Sequence, residues 1–150
     1  MIPLGISNSS PFIALERIDR INLFQHSFQR VIVPEAVACE IGQIPQWVTV
    51  KPIADSGRLA IFPPNIHKGE AEVICLGIED PDAVLVLDDW YARQFAKHQG
   101  YQIIGTVGLL LGAKRHGIVA AVLPILQELT AAGFRLSDSV IADAQRLAGE

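Results

Sequence analysis

The chain has 150 residues, of which 50% are hydrophobic and 19% are charged, and its formal net charge is −4. This balance excludes an intrinsically disordered chain, and the length predicts one domain with one core over residues 1–150. The acidic balance argues against unspecific binding of nucleic acid by the whole surface, although it leaves room for a local basic rim. No uncharged stretch reaches the ~18 to 20 apolar residues of a bilayer span, and no basic residue precedes Arg17. We therefore expect a cytoplasmic protein that makes no contact with a membrane.

Short apolar strands alternate with helices along the chain, a pattern typical of a mostly parallel sheet covered on both faces. In the first half the pattern predicts a strand over residues 2–7, a helix with Ser10 as N-cap and Pro11 as first residue, a short helix over 21–28, a strand over 31–33, a helix from Pro34 to before Gly42, and an extended edge segment over 47–53.

The second half repeats this alternation with clearer boundaries. It predicts a helix over residues 67–79, a strand over 83–87, a helix from its cap Asp89 to about His98, a strand over 101–104, a helix from its cap Thr106 to Gly117, a helix over 119–132 around Pro124, and a last helix capped by Ser137. The predicted fold class is therefore α/β.

Polar residues follow three of these strands, at the edge where open α/β sheets bind their ligands. Asn8 follows the first strand, Asp88 and Asp89 follow the fourth, and Thr106 follows the last. All four residue types also favour turns and helix caps, so their position alone leaves both interpretations open. Because Asp89 already serves as a cap, Asp88 is the stronger candidate for a functional role.

Two predicted helices add carboxylates near that edge. Glu40 lies within the apolar stripe of its helix, roughly 40° from Ala36, so its carboxylate needs a cation, a metal ion or hydrogen-bond donors. An arginine partner is the alternative to a metal. On the later helix, Glu70 lies about 40° outside one edge of the apolar face and Glu72 about 60° outside the other, so the two cannot both face one cleft. Geometry favours Glu70, whose alternative role is that of a first-turn acid stabilised by the helix dipole.

Glu40, Glu70 and Asp88 are therefore expected to meet near Asn8. Carboxylates ~4 Å apart repel each other by about 4 kcal/mol per pair at an effective dielectric constant of roughly 20. Such a cluster requires bound cations or raised pKa values. Oxygen ligands without histidine or cysteine favour Mg²⁺ or Mn²⁺.

Several segments of the chain, taken in order, resemble the PIN domain family, in the VapC-like branch that includes many bacterial members. The segments are residues 7–15, residues 33–37 with Glu40, residues 69–72, Asp88-Asp89 with Ala92-Arg93, residues 105–108 and residues 133–137. The resemblance implies a three-layer α/β/α fold with a mostly parallel central sheet and a metal-dependent ribonuclease site. It also implies a toxin paired with an antitoxin protein, and a homodimer.

The four acidic positions of this family fall at Asn8, Glu40, Glu70 and Asp88, with Asp89 as the alternative for the last. The resemblance implies that they hold one or two Mg²⁺ or Mn²⁺ ions for the hydrolysis of phosphodiester bonds in RNA. Thr106 would orient a ligand or contact a phosphate. The chain departs from the family at Asn8, where the first strand usually ends in aspartate, so the site loses one negative charge of four.

Three hypotheses follow. The first is a metal-dependent ribonuclease that is the toxin of a toxin–antitoxin pair. The second is a PIN fold whose site has lapsed at Asn8 and which binds RNA or a protein partner. The third is a small-molecule enzyme that uses Asp88 and Glu40 as acid and base.

The basic and aromatic side chains give a weaker signal. Arg93 with Lys97, or Lys114 with Arg115, would contact RNA; the alternatives are an ion pair between Asp89 and Arg93 and cations at a helix carboxyl end. Trp47, Trp90 and Tyr91 are expected to be packing residues, with stacking on RNA bases as the alternative. Cys39 and Cys75 are expected to be buried.

Overall fold

A five-stranded sheet, all of whose strands are parallel, lies at the centre of the computed structural model, which describes residues 1–150. The strands are β1 (Ile2–Ser7), β2 (Phe28–Pro34), β3 (Val48–Lys51), β4 (Val84–Val86) and β5 (Gln102–Ile104). Their order across the sheet is β3-β2-β1-β4-β5. The predicted α/β class with a parallel sheet is confirmed.

Helices flank this sheet, consistent with the three-layer arrangement that the family resemblance implies. The helices are α1 (Ser9–Arg17), α2 (Leu23–Ser27), α3 (Glu35–Ile41), α4 (Lys68–Glu79), α5 (Trp90–His98), α6 (Thr106–Arg115), α7 (Leu123–Ala131) and α8 (Asp138–Leu147), and a 3₁₀ helix spans Ser56–Ile61. A bilayer could not be crossed by any of these helices, because each is too short or too polar.

The strands nearest the centre are apolar without alternation because both of their faces are covered. All three residues of β4 are buried, and so are the last four residues of β1. A strand that faces solvent on one side would alternate apolar and polar residues, whereas a central parallel strand does not. This apolar run is what made β4 predictable from the sequence.

Two helices begin at other residues than predicted. The cap of α1 is Asn8 rather than Ser10, because the Asn8 amide still donates to the carbonyl of Val86 in the sheet (3.1 Å) and the helix starts directly afterwards. Pro11 is then the third residue of α1, still in the first turn, where no intrahelical acceptor awaits an amide. Helix α7 begins at Leu123 because Pro124 fits only its first turn.

Three packing expectations are wrong. The side chains of Trp90 and Tyr91 are 65% and 52% exposed, and their rings contact each other edge to face with centroids 5.2 Å apart. Cys39 is exposed as well, whereas Cys75 is buried as expected. All three exposed residues lie on the solvent side of short helices. Such helices contain too few apolar repeats to predict which of their faces is buried.

Strand β1 is the point at which the strand order reverses. The chain proceeds from β1 to β2 and β3 on one side, and β4 then pairs with the other side of β1 through Ser7 and Val86. Ligands of open α/β sheets bind outside the carboxyl ends of the strands at such a switch point. Asn8 and the pair Asp88-Asp89 therefore emerge at the position that the topology favours for a site.

Candidate active site

Asn8 and Glu40 converge on Gly69, the second residue of α4. Asn8 is 6% exposed, and its side chain makes no capping hydrogen bond to α1. A Cβ atom placed on Gly69 would lie 3.2 Å from Asn8 Oδ1 and 2.7 Å from Glu40 Oε1. Because Gly69 has no side chain, both oxygens can lie close to its backbone.

The carboxylate of Glu40 is oriented by Ser9, whose hydroxyl donates to Glu40 Oε2 at 2.7 Å. The expectation that Glu40 is buried within an apolar stripe is wrong, because the residue is exposed. Helix α3 has seven residues and buries only Val37, so it has no stripe wide enough to cover Glu40. The carboxylate nevertheless turns toward the end of β1.

Glu70 is buried at the first turn of α4, where its Oε2 accepts a hydrogen bond from the backbone amide of His67 at 3.0 Å. Burial raises the pKa of this carboxyl group above its ordinary value. The hydrogen bond from His67 opposes that rise, whereas the negative charges of Asp89 and Glu40 add to it. Glu40 and Asp89 are therefore close enough to Glu70 for their charges to act on its carboxyl group.

Glu72 is as deeply buried as Glu70 but serves a different element. Its Oε1 accepts a hydrogen bond from the backbone amide of Ala36 at 3.2 Å, in the first turn of α3. The two glutamates thus bind different partners, as their spacing on α4 predicts. Glu72 thus accepts a hydrogen bond from an amide in the first turn of α3, the helix that carries Glu40, and its role is structural.

The two aspartates after β4 have different surroundings. Asp89 caps α5 by accepting from the amide of Ala92 through Oδ2 (3.0 Å). Asp88 uses both carboxylate oxygens on Thr106: Oδ1 accepts from the backbone amide (2.8 Å) and Oδ2 from the hydroxyl (2.6 Å). The prediction that Thr106 caps its own helix is wrong, since Gly105 is the cap position and Thr106 is the first residue of α6. Thr106 lies next to Asp88, where it orients that carboxylate.

Arg93 supports the same end of β4. The Nη1 atom of Arg93 donates to the carbonyl of Leu87 at 2.9 Å. Burial raises the pKa of Asp88, and the positive charge of Arg93 opposes that rise. The expected ion pair with Asp89 is absent. Lys114, considered for RNA contact, instead donates to the carbonyl of Ala148.

Three carboxylates share one property that Asp88 lacks. Each of Glu40, Glu70 and Asp89 has one oxygen engaged in a hydrogen bond with the protein and the other without one. With the amide oxygen of Asn8, these oxygens match a hard divalent cation in donor type. In the structure, no group of three or more His, Cys, Asp or Glu residues is arranged so that it could hold a metal ion.

A comparison with protein families gives a match over nearly the whole chain. The family model described as DUF3368, a PIN domain, matches residues 4–150. The chain belongs to the PIN domain family. PIN domains indicate a nuclease-type function and RNA binding, and they generally use divalent metal ions. No curated protein and no solved structure gives a significant match.

Two residues of this PIN domain site escaped the sequence reasoning. Ser9 positions Glu40, and Gly69 leaves room for Glu40 and Asn8. Both lie next to residues that the pattern did select, Asn8 and Glu70. Their contacts join residues that are distant along the chain, so neither spacing nor periodicity could have identified them.

Proposed function

We propose that this PIN domain is a metal-dependent ribonuclease that hydrolyses phosphodiester bonds in RNA with Mg²⁺ or Mn²⁺. The proposed ligands are Asn8, Glu40, Glu70 and Asp89. Asp88 takes a positioning role through Thr106, because both of its oxygens already accept hydrogen bonds. The observation that carries the proposal is the convergence of Asn8 Oδ1 and Glu40 Oε1 on Gly69, the residue before Glu70, at the switch point of the sheet.

Electrostatics supports a cation at this position. The charges of Glu40 and Asp89 act on Glu70, and none of these three carboxylates is paired with an arginine or lysine. The raised pKa of Glu70 reflects burial together with the charges of Asp89 and Glu40. A divalent cation would relieve this repulsion, which unpaired carboxylates otherwise relieve only by taking up protons.

The chemistry is hydrolysis of a phosphodiester by water. A divalent ion held by these residues would lower the pKa of a water molecule and would neutralise charge that develops on the phosphate. Ser9 fixes the orientation of Glu40, and the amide of His67 fixes that of Glu70. These hydrogen bonds hold the ligand carboxylates in place before substrate arrives, which reduces the cost of organising them.

We further propose that the protein is the toxin of a toxin–antitoxin pair and acts as a homodimer in the cytoplasm. This part rests on the likeness to VapC-like proteins. Expression of the wild type in growing bacteria is expected to arrest growth. The Glu40→Gln variant is expected to permit growth, because it removes a proposed ligand charge.

The decisive experiment measures Mn²⁺-dependent cleavage of single-stranded RNA by the wild type, Asn8→Asp and Glu40→Gln. We expect wild-type cleavage that EDTA abolishes, and a loss of at least about 100-fold in Glu40→Gln, since even outer partners of metal ligands contribute about 10- to 100-fold. Asn8→Asp is expected to bind Mn²⁺ about 10-fold more tightly by calorimetry, because it adds a carboxylate charge.

Glu16→Gln is the matched control, since Glu16 is an exposed carboxylate on α1 that forms no salt bridge. It should cleave RNA and bind Mn²⁺ like the wild type. Absence of cleavage by every variant, with no Mn²⁺ binding in the calorimeter, would contradict the proposal.

One observation favours a second function. The amide of Asn8 removes a negative charge from the site, so a PIN fold that only binds RNA or a protein partner is the competing proposal. A silent wild type together with an active Asn8→Asp variant would establish this alternative.

A further inference from the structure

A cleft of about 640 Å³ opens beside Asp88, between the amino-terminal end of α6 and the segment that joins α7 to α8. Arg93 and Val107 line one part of it, and Phe134, Arg135 and Leu136 line another. The residues from α7 to α8 belong to the segment 133–137, which the proposed nuclease chemistry does not use. Because Asp88 is adjacent to the proposed ligand Asp89, the cleft adjoins the candidate active site.

Two guanidinium groups give the cleft its charge. Neither Arg93 nor Arg135 forms a salt bridge. The only acidic side chain that lines the cleft is Asp88, whose oxygens both accept hydrogen bonds from Thr106. Arg135 is therefore available to an anion, Arg93 keeps the nitrogens that it does not donate to Leu87, and a guanidinium binds phosphate through two parallel hydrogen bonds.

The remaining lining is apolar, with Val107, Phe134 and Leu136 among its members. An inorganic anion would leave this surface uncovered. A nucleotide combines a phosphate with a flat, weakly hydrated base, and bases of single-stranded RNA stack on aromatic rings and guanidinium planes. The volume also falls in the range of roughly 300 to 1,000 Å³ that is typical of ligand sites.

We propose that this cleft binds one nucleotide of single-stranded RNA next to the scissile phosphodiester, with Arg93 and Arg135 at a phosphate and Phe134 beneath the base. The choice of RNA rests on the proposed function. The cleft gives the segment 133–137 a role in substrate binding, and it places the bound strand across the end of β4.

The test measures the affinity of the full chain for a short fluorescent single-stranded RNA by anisotropy, in EDTA so that no cleavage occurs. Arg135→Ala is expected to weaken binding about 10-fold, and to reduce the slope of log affinity against log salt by about 0.7, the value for one phosphate contact on a single strand. Arg135→Lys keeps the charge without the paired hydrogen bonds, so its RNA affinity should lie between those of the wild type and Arg135→Ala. Phe134→Leu should weaken binding without changing the salt slope.

Arg146→Ala is the matched control, because Arg146 is an exposed arginine on α8 outside the cleft. It removes the same charge and should leave RNA affinity nearly unchanged. Equal losses in Arg146→Ala and Arg135→Ala, or none in Arg135→Ala, would overturn the proposal, since general electrostatics would then account for binding. Arg135 is exposed, so a thermal melt is expected to show a folded variant.

The outcome is separable from that of the nuclease proposal. Glu40→Gln should retain RNA affinity in EDTA even though it loses cleavage. Weaker RNA binding by Arg135→Ala in a protein that cleaves nothing would support the cleft and contradict the nuclease. RNA cleavage by the wild type, together with an RNA affinity of Arg135→Ala equal to that of the wild type, would support the nuclease and contradict the cleft.

Discussion

Gly69 determines how closely the oxygens of Asn8 and Glu40 approach each other. In Gly69→Ala the new Cβ would lie 2.7 Å from Glu40 Oε1, so that carboxylate has to move. We expect Mn²⁺ affinity, measured by calorimetry, to fall at least about 10-fold, by analogy with the loss of an outer partner of a ligand. The protein should remain folded, because overpacking costs about 1–3 kcal/mol and alanine regains part of it as a better helix former.

Gly112→Ala provides the control for that substitution. Gly112 is also helical, and its added Cβ would meet only the end of the Arg115 side chain, at 3.8 Å. This variant should be slightly more stable than the wild type and should bind Mn²⁺ equally well. Unchanged Mn²⁺ affinity in Gly69→Ala would show that the space at Gly69 has no role in metal binding.

At this scale the sequence allows only part of the site to be predicted. Asn8 could be selected because it ends a predicted strand, and Glu70 because of its angle on a predicted helix. The hydrogen bonds between Asp88 and Thr106 could not be predicted, because they join residues that follow two different strands. Periodicity predicts the face of a helix on which a residue lies, and it contains no information about a partner from another element.

Helix α6 has its first turn satisfied by an aspartate from outside the helix. Asp88 accepts from both the amide and the hydroxyl of Thr106, so Asp88→Ala should lower the free energy of unfolding by about 1–3 kcal/mol, as for a lost cap or an unsatisfied buried donor. Asp88→Asn should lower it much less, because an amide can accept from the Thr106 amide and donate to its hydroxyl. Urea unfolding measures both values.

A loss of stability in Asp88→Asn as large as in Asp88→Ala would contradict this interpretation. It would show that the negative charge near Arg93 matters more than the hydrogen-bond geometry. Thr106→Val serves as the comparison: it removes only the hydroxyl and should cost less stability than Asp88→Ala.

Helices with caps of their own are the ones whose starts the sequence predicts correctly. Asp89 caps α5 and Ser137 caps α8, both as predicted. The starts of α1, α6 and α7 were misplaced: the sheet determines where α1 begins, Asp88 replaces a local cap on α6, and no side chain caps α7. A local signal therefore suffices only where the helix end is satisfied locally.

At the scale of the whole molecule, Glu150 joins the end of the chain to two helices. Its carboxylate accepts from Lys114 on α6 and from the amides of Val122 and Leu123 at the start of α7. These hydrogen bonds, that of Lys114 first, lower the pKa of Glu150 from 4.5 to about 2. The contact connects α6 and α7 through the residue that follows α8.

The sign of the pH dependence follows from this shift. Because the folded-state pKa is the lower one, Glu150 stabilises the protein fully above about pH 4.5, and this contribution is lost as the pH falls toward about 2. Glu150→Gln should therefore unfold at lower urea concentration than the wild type near neutral pH. The difference should shrink as the pH falls and disappear only below about pH 2, where the wild-type carboxyl group becomes protonated.

Glu16→Gln is again the appropriate control, because it changes the net charge equally without touching a hydrogen bond of the fold. Its urea midpoint should follow that of the wild type at every pH. A Glu150→Gln midpoint equal to the wild type near neutral pH would contradict the proposed connection.

The parallel sheet could be predicted as a whole, whereas the order of its strands could not. Apolar runs of four to seven residues between helices indicate buried parallel strands. They do not indicate which strands are neighbours, because every central strand presents the same apolar composition. The pairing of β1 with β4, on which the site depends, is known only from the structure.

The central position of β1 also determines when the site exists during synthesis. Asn8 is synthesised before its neighbours across the sheet, which belong to β4, much later in the chain. Domains fold only after their distant segments are available, and such pairings form slowly. The candidate site is therefore complete only after β4 has been synthesised and has paired with β1.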